Sequence, residues 1–564
     1  MVSTIYEKLS QERKELQAQG LVPEWMTTGG WQLFKEKYLW EARGLKDTYE
    51  RIAKTAARHT DDPDKWASKF FDVLWRGWLA ASTPVLSNMG TIKGMPVSCS
   101  GQYIEDSIDG FYSAYHETAM LTKNGFGTSG YLGDIRPRGS VISTGGKASG
   151  TLPIFKHFVQ DMRDVAQGTS RRGAWAGYLP IDHGDFYEIV DYLKNFPDDL
   201  NIGWNISQEF INRLEAGDTD AVQRFQRAMY VKAITGKGYF FKPDTVNAMN
   251  PQVYKDRGLE VKASNLCTEI TLFSDADHTF TCVLSSMNLE KYDEWKNTDA
   301  VFVSTVFLDC VAQEFIELAK GQKGFEKSVR FTEASRALGL GTLGFHTYLQ
   351  TKLIPIESFE AHMVNLEIFQ HLHEEATRAT KWMAKAWGEP EWCKGYGVRN
   401  THLLSIAPNT SSALICGGVS QGIEPVVANL YNQPTSAGEI YRVNPVFLNL
   451  AKKRVGWTDE LVKELTETEG SVQHLDWLSP KEKAVFKTAY EVDQAALVRL
   501  AAARQPYICQ AQSLNLFFDA DESETYIAQI HKEALLNPQI KSLYYMRTLA
   551  GVQASKGECV ACEG

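Results

Sequence analysis

No stretch of the chain approaches the roughly 18 consecutive apolar residues that a membrane-spanning helix requires, and residues 1–20 are rich in Glu, Lys and Gln where an export signal would run from basic to apolar. Neither a span nor a leader is expected. Positive charge is in deficit as well: 59 Lys and Arg stand against 69 Asp and Glu, a net charge of -10. That balance disfavours adhesion to nucleic acid or anionic lipid, so any phosphate must be held by local groups. Cysteine is sparse, with nine in 564 residues, too scattered for a disulfide framework. The expected compartment is reducing and cytoplasmic, where single thiols become chemical groups in their own right. Fixed-period repeats and low-complexity linkers are missing too. With 43% hydrophobic and 23% charged residues the chain is an ordinary globular sequence, long enough for a large core.

Residues from about Trp31 to Trp78 carry apolar residues at helical spacing and only one proline, Pro63, which predicts a small helical region ending at Ser82, Thr83 and Pro84. Beyond it, short apolar segments at Val97, Tyr239 to Phe241, Phe280 to Leu284 and Leu403 to Ile406 alternate with amphipathic stretches at Phe155 to Gln167, Phe359 to Trp387 and Pro480 to Ala503. Such alternation predicts an α/β domain. Glycine gathers at Gly125 to Gly150, Gly168 to Gly184, Gly339 to Gly344 and Gly417 to Gly422, the expected ligand loops. The last residues are small and polar and read as a flexible tail.

The run Gly339 to Gly344 matches GxGxxG, but the polar, helix-like residues Glu326 to Arg336 stand where a dinucleotide fold needs a strand. Close helix packing is the better reading. His371, His373, Glu374 and Glu375 lack HExxH spacing and read as a solvated helix face. Asn265, Cys267 and Glu269 differ in kind, because at i-2, i and i+2 an extended backbone points all three the same way. An amide, a thiol and a carboxylate on one face can bind, react and exchange a proton at one substrate. An edge strand with a buried cysteine is the competing reading. Cys99 and Cys282 lie in strand-like apolar contexts, where a lone thiol is usually inert. Cys559 and Cys562 form a CxxC in the tail, where packing is no explanation and thiol–disulfide exchange is favoured over zinc, since no second CxxC exists.

Taken jointly, Ser82 to Pro84, Cys99, the Asn265–Cys267–Glu269 run, Cys282, Pro408 to Ser412, Tyr544 with Tyr545 and the CxxC tail resemble, in order, the large catalytic subunit of class I ribonucleotide reductase. The resemblance runs from about Trp31 to the C-terminus. It implies a ten-stranded α/β barrel with Cys267 on an internal finger loop, a small helical region before it over residues 1–80, the barrel over 81–547 and a redox tail over 548–564. In that family Cys267 would become a thiyl radical and abstract the ribose 3'-hydrogen, Glu269 would take the 3'-hydroxyl proton and Asn265 would hydrogen-bond the ribose. Cys99 and Cys282 would supply two electrons and close into a disulfide as the 2'-hydroxyl leaves as water. Cys559 and Cys562 would reduce that pair and be reset by thioredoxin or glutaredoxin. Tyr544 and Tyr545 would relay the radical from a metal-bearing small subunit. By themselves, two adjacent tyrosines in a strand are ordinary packing.

The same resemblance places substrate phosphate on Thr83, Ser98 and the Pro408, Asn409, Thr410, Ser411, Ser412 turn, where hydroxyls and backbone N–H groups can cradle it. It places dNTP or ATP effectors at Asp106, Ser107, Ile108, Arg136 and Arg138 and at Arg171 of the loop 168–173, with a homodimer because the effector site lies between subunits. Ser143 stands where many relatives carry a basic residue, with Arg138 as its compensation, and the phosphate turn is one residue shorter than in some relatives. The chain begins shortly before the helical region, so the N-terminal ATP cone of many relatives is expected to be missing. The expected function is reduction of ribonucleotides to 2'-deoxyribonucleotides for DNA synthesis, without metal, nucleic acid or membrane binding by this chain. A cobalamin-dependent reductase of the same family is the nearest alternative, disfavoured by Leu266 and the tyrosine pair. A nicotinamide-dependent oxidoreductase is a remote one, and a nucleotide-sensing scaffold without chemistry is opposed by the intact cysteines.

Overall fold

A computed structural model of the chain describes residues 2–165, 173–435 and 438–548. Four helices open it, Val2–Ala18, Thr28–Lys37, Leu45–Ala57 and Pro63–Trp75. Their starts follow capping chemistry: the Asp62 side chain accepts from the Lys65 N–H with Pro63 in the first turn, and Thr27 accepts from the Gly30 N–H. Tyr49, Ile52, Ala53 and Ala56 recur at helical spacing and are buried. With the fourth helix they pack on Ala300–Ala319, a helix apolar nearly all round and therefore sunk in the core. The helical region thus starts earlier than Trp31, because residues 2–18, polar as they are, also form a helix.

The sheet is built from two runs of parallel strands. Cys99–Tyr103, Gly127–Tyr131, Trp175–Pro180, Asn201–Asn205 and Tyr239–Phe241 pair in that order, all parallel. Phe280–Asn288 pairs parallel with Leu338–Leu343, Leu340 bridges Leu404, Ile406 bridges Gln512, and Leu516–Phe518 pairs parallel with Met546–Thr548. The runs meet antiparallel at two seams. At one, Cys99 lies opposite Cys282; at the other, Ser542 and Leu543 lie opposite Phe241 and Phe240. Five lanes and five lanes close into a ten-stranded α/β barrel. Crossover helices such as Ile108–Lys123 and Thr151–Asp164 cover its outside, as parallel strands require.

Three sequence expectations change here. Gly339 to Gly344 is not a phosphate loop: Gly339 and Gly341 lie inside the barrel strand Leu338–Leu343. A Cβ on Gly341 would sit 2.5 Å from the Ser405 carbonyl oxygen, and one on Gly339 would sit 2.9 Å from the Cys282 sulfur. These glycines bring a neighbouring backbone and a thiol close. The stretch Pro480 to Ala503 forms two helices, Pro480–Val485 and Gln494–Arg504, the second capped by the Asp493 side chain. The strand Met546–Thr548 runs one residue past the expected start of the tail. No helix among the described residues is long and apolar enough to cross a membrane.

Candidate active site

Between the strands Tyr239–Phe241 and Phe280–Asn288 the chain threads a loop through the barrel, with Ser264 to Ile270 all buried. A buried loop must find partners for its backbone, and here the barrel wall provides them. Ser129 Oγ donates to the Ser264 carbonyl at 2.8 Å, Tyr178 Oη to Asn265 at 2.5 Å and Ser542 Oγ to Thr268 at 3.1 Å. The Ala511 N–H and Ser405 Oγ share the Glu269 carbonyl at 2.9 and 3.0 Å. Donors from both parallel runs therefore fix one loop.

The expectation of an extended Asn265–Cys267–Glu269 strand is corrected here. The segment is a tight turn, with Thr268 at φ 69°, a left-handed conformation that a β-branched residue adopts only under constraint. The turn still gathers the three residues in the barrel interior. Asn265 Nδ2 donates to Cys99 Sγ at 3.3 Å, while its Oδ1 accepts from the Ile270 N–H. Cys99, Cys267, Cys282, Tyr178, Tyr239, Tyr544 and Tyr545 belong to one buried cluster.

Cys99 and Cys282 are register partners across the antiparallel seam, where opposite side chains project to the same face. Neither is in a disulfide, nor is any of the five other described cysteines. Burial, together with the nearby Cys99 and Glu269 side chains, pushes the Cys282 thiol well above its ordinary pKa, and the Gln510 amide opposes this.

Tyr544 Oη donates to Cys267 Sγ at 3.5 Å. The Tyr544 and Tyr545 rings lie 4.1 Å apart between centroids, and Tyr239 Oη reaches Tyr545 Oη at 3.2 Å. An unbroken run of aromatic rings thus ends on the loop cysteine. Lys232, fully buried with a pKa lowered by desolvation to about 7, donates to the Tyr544 carbonyl at 2.5 Å and the Gly238 carbonyl at 2.9 Å, pinning the short link between the strands Ser542–Leu543 and Met546–Thr548 that carries the pair.

Three residues of this site had no sequence signal. Gln510 Nε2 reaches Cys282 Sγ at 3.6 Å, within range for a sulfur acceptor, and the one hydroxyl hydrogen of Ser513 is shared between Glu269 Oε2 at 3.1 Å and the Cys267 carbonyl at 2.5 Å. Tyr239 is the third. Their partners lie hundreds of positions away in sequence, and only alternation along Cys509 to Ser513 hinted that Gln510 and Gln512 share a face.

The expected phosphate residues fall on two short helix starts, Thr83–Asn88 and Thr410–Ile415, which adjoin: Ser412 Oγ donates to the Ala81 carbonyl at 3.4 Å. Asn409 takes φ 61° ahead of the second helix, locked by Nδ2 on the Thr342 and Ala407 carbonyls and by Ser286 Oγ on its Oδ1. Thr83 Oγ1 lies 3.2 Å from Tyr38 Oη, and Thr410 Oγ1 donates to Gln421. Pro408 precedes this turn; Ser98 and Ser411 are buried.

The expected effector residues gather on the outside. Ser107 caps the helix Ile108–Lys123, and Ile108 is 70% exposed. Arg136 pairs with Asp106 at 2.5 Å. The Arg138 guanidinium forks onto Glu188 at 2.6 and 2.9 Å. Arg171, Cys559 and Cys562 lie outside the described residues.

Comparison with known proteins fits this geometry. The family model for the ribonucleotide reductase barrel domain matches residues 97–224, 219–392 and 385–546, and that for the ribonucleotide reductase all-alpha domain matches residues 25–94. A Frog virus 3 (isolate Goorha) protein, provisionally named a ribonucleoside-diphosphate reductase large subunit, is 35% identical over 90% of this chain and 94% of its own length. The ribonucleoside-diphosphate reductase large subunit of Invertebrate iridescent virus 3 is 29% identical over 95% of this chain and 98% of its own. Among solved structures, the class Id ribonucleotide reductase alpha subunit of Actinobacillus ureae superposes with a TM-score of 0.86 at 38% identity, covering 95% of this chain and 99% of the other.

Proposed function

The chain belongs to the ribonucleotide reductase large-subunit family, and on that footing we propose that it reduces ribonucleoside diphosphates to 2'-deoxyribonucleotides through a thiyl radical on Cys267, providing DNA precursors. One observation carries the reading: Cys99 and Cys282 lie directly opposite across a barrel seam, in the same buried cluster as Cys267. A dithiol poised to close into a disulfide supplies the two electrons that removal of a 2'-hydroxyl consumes.

In this reading a radical-generating small subunit oxidises Cys267 through Tyr545 and Tyr544, and the 3.5 Å contact of Tyr544 with the sulfur supports that order. Cys267 Sγ takes the 3'-hydrogen of the ribose. Glu269, fixed by Ser513, accepts the 3'-hydroxyl proton, while the Asn265 amide holds the sugar. The 2'-hydroxyl leaves as water with a proton from one inner thiol, and the second hydrogen of the pair goes to C2' as Cys99 and Cys282 become a disulfide. Glu269 returns its proton to the 3'-oxygen, and Cys267 gives the abstracted hydrogen back to C3', re-forming the thiyl that the relay then reduces. Burial of the whole cluster supports the radical step, because water and stray hydrogen donors are kept away. Substrate phosphate is assigned to the Thr83 and Thr410 helix starts, with Ser98, Pro408, Asn409, Ser411 and Ser412 around them.

The Cys559 and Cys562 tail, reset by thioredoxin or glutaredoxin, is the assigned reductant of the inner pair. Effector dNTP or ATP is assigned to Asp106, Ser107, Ile108, Arg136, Arg138 and Arg171 at a homodimer interface, with the exposed Ile108 in support. The proposed compartment is the cytoplasm, in keeping with seven described cysteines, none of them in a disulfide.

The test is conversion of CDP to dCDP by the purified chain with dithiothreitol and an ATP or dATP effector, run in parallel with a class I small subunit and with adenosylcobalamin. Activity that requires the small subunit is expected. Activity with adenosylcobalamin alone would discard the relay and the partner; no activity with either would overturn the reading.

A further inference from the structure

The two sulfurs of the seam are not equivalent. Cys282 is fully enclosed, whereas Cys99 keeps 5% of its surface open. The groups touching them differ as well. Cys99 accepts from Asn265, a side chain on the loop that has substrate to bind. Cys282 accepts from Gln510, a side chain with no such duty. The Gln510 amide is held at both ends: its Oε1 accepts from the Thr271 N–H at 3.0 Å, and its Nε2 also donates to the Leu338 carbonyl at 2.8 Å. Its backbone is fixed too, with the carbonyl accepting from Lys541 Nζ and from Gln505 Nε2, each at 2.8 Å. Gly339 lies against the same sulfur and leaves it room. Gln510 is thus a rigid, fully buried donor aimed at one sulfur of the pair.

We propose that Gln510 sets the direction in which the inner disulfide is reopened: an incoming thiolate attacks Cys99 Sγ, and Cys282 leaves as a thiolate stabilised by the Gln510 amide. The inference rests on the assignment of Cys99 and Cys282 as the redox pair. In the step, a bond forms between the reductant sulfur and Cys99 Sγ while the Cys99–Cys282 bond breaks, its electron pair passing to Cys282 Sγ. That sulfur then takes up the proton the attacking thiol released. A second thiol of the reductant attacks the reductant sulfur of the mixed disulfide, freeing Cys99 and leaving the reductant oxidised.

Access selects which sulfur is attacked, and stabilisation of the departing thiolate sets how fast it leaves. Cys282 needs that help because burial otherwise disfavours its thiolate, whose pKa lies well above the ordinary thiol value. A hydrogen bond to a charged acceptor accelerates such a departure about tenfold or more.

The experiment uses the full chain carrying Cys559→Ser and Cys562→Ser, so that tail thiols take no part. The inner disulfide is formed by one round of turnover with the small subunit, or with diamide. It is then exposed briefly to 2-mercaptoethanol, quenched in acid and mapped by peptide mass. The expected adduct is on Cys99; an adduct on Cys282 overturns the inference while leaving the redox pair intact. Failure to find any Cys99–Cys282 disulfide would overturn the underlying assignment itself.

A second measurement follows reduction of the disulfide by dithiothreitol in Gln510→Met. The expected result is a rate lowered about tenfold or more with the midpoint potential of the pair unchanged, since at neutral pH both cysteines end as thiols. A side chain that only spaced the sulfurs would shift rate and potential together, and an unaltered rate would likewise count against the inference.

Discussion

The Tyr544 hydroxyl donates to the Cys267 sulfur at 3.5 Å, and the ring behind it lies 4.1 Å from that of Tyr545. The contact joins a strand of the barrel wall to the tip of the internal loop. In the proposed relay each hydroxyl gives up a proton as the electron moves, so removing it breaks the relay and leaves the packing in place. Tyr544→Phe and Tyr545→Phe are therefore each expected to lower turnover by about a thousandfold, a barrier change of about 4 kcal/mol. Thermal unfolding should stay close to the parent, and Cys99–Cys282 should still close with a chemical oxidant. Turnover within tenfold of the parent in Tyr544→Phe would remove it from the relay.

Ser513 links the proposed base to the backbone of the proposed radical cysteine, through Glu269 Oε2 and the Cys267 carbonyl. Ser513→Ala deletes one donor to the carboxylate, which favours its protonated form. The expected change is a fall in kcat of about tenfold or more, with KM little affected and the acidic limb of the rate–pH profile moved to higher pH. An unmoved limb would assign Ser513 to loop packing alone.

Glu117, on the helix Ile108–Lys123, is buried, and desolvation raises its pKa to about 7, only partly opposed by Thr279 and Lys327. The folded chain therefore holds a proton that the unfolded chain releases near pH 4.5. Stability falls as pH rises from about 4.5 to about 7 and is level above that range. Glu117→Gln carries no such charge, so its stability should match the parent near pH 4 and exceed it at pH 8, by about 3 kcal/mol. Melting curves across that range check the sign; a gap that widens toward acid pH would contradict it.

Gly341 faces the Ser405 carbonyl, where a methyl group would lie at 2.5 Å. Backbone cannot swing aside as a side chain can, so Gly341→Ala is expected to cost about 1–3 kcal/mol or more. It should also disturb the Ser405 Oγ contact to Glu269. Denaturant titration and turnover should both register the change; a stable, fully active variant would show that these two strands can separate freely.

Much of the proposed site was legible because it consists of residue types that few other tasks require. Cys99, Cys267, Cys282, the Asn265 and Glu269 flanks and the tyrosine pair could be marked from order and identity. The conformation joining them could not. Asn265 to Glu269 reads as an extended run, yet the interior needs a turn there, and Thr268 accepts a left-handed backbone held by Ser542. Gly339 to Gly344 shows the same limit in reverse, since its glycines answer to neighbours at Ser405 and Cys282 that no local pattern reveals. Gln510 and Ser513 were silent for that reason: each reaches a partner more than two hundred residues away.

The placement of Cys99 and Cys282 on a seam has a mechanical side. Each run of parallel strands is a continuous hydrogen-bonded plate, and the plates meet only at the Cys99 edge and the Phe241 edge. A bond between the two sulfurs rivets one of those edges; reduction releases it. Every catalytic cycle would then alternate between a riveted barrel and one free to breathe along that edge. The riveted form should be the harder to unfold, because the cross-link also restricts the unfolded chain, by a few kcal/mol for so long a loop. The seam thus makes the ring's stiffness a record of its redox state.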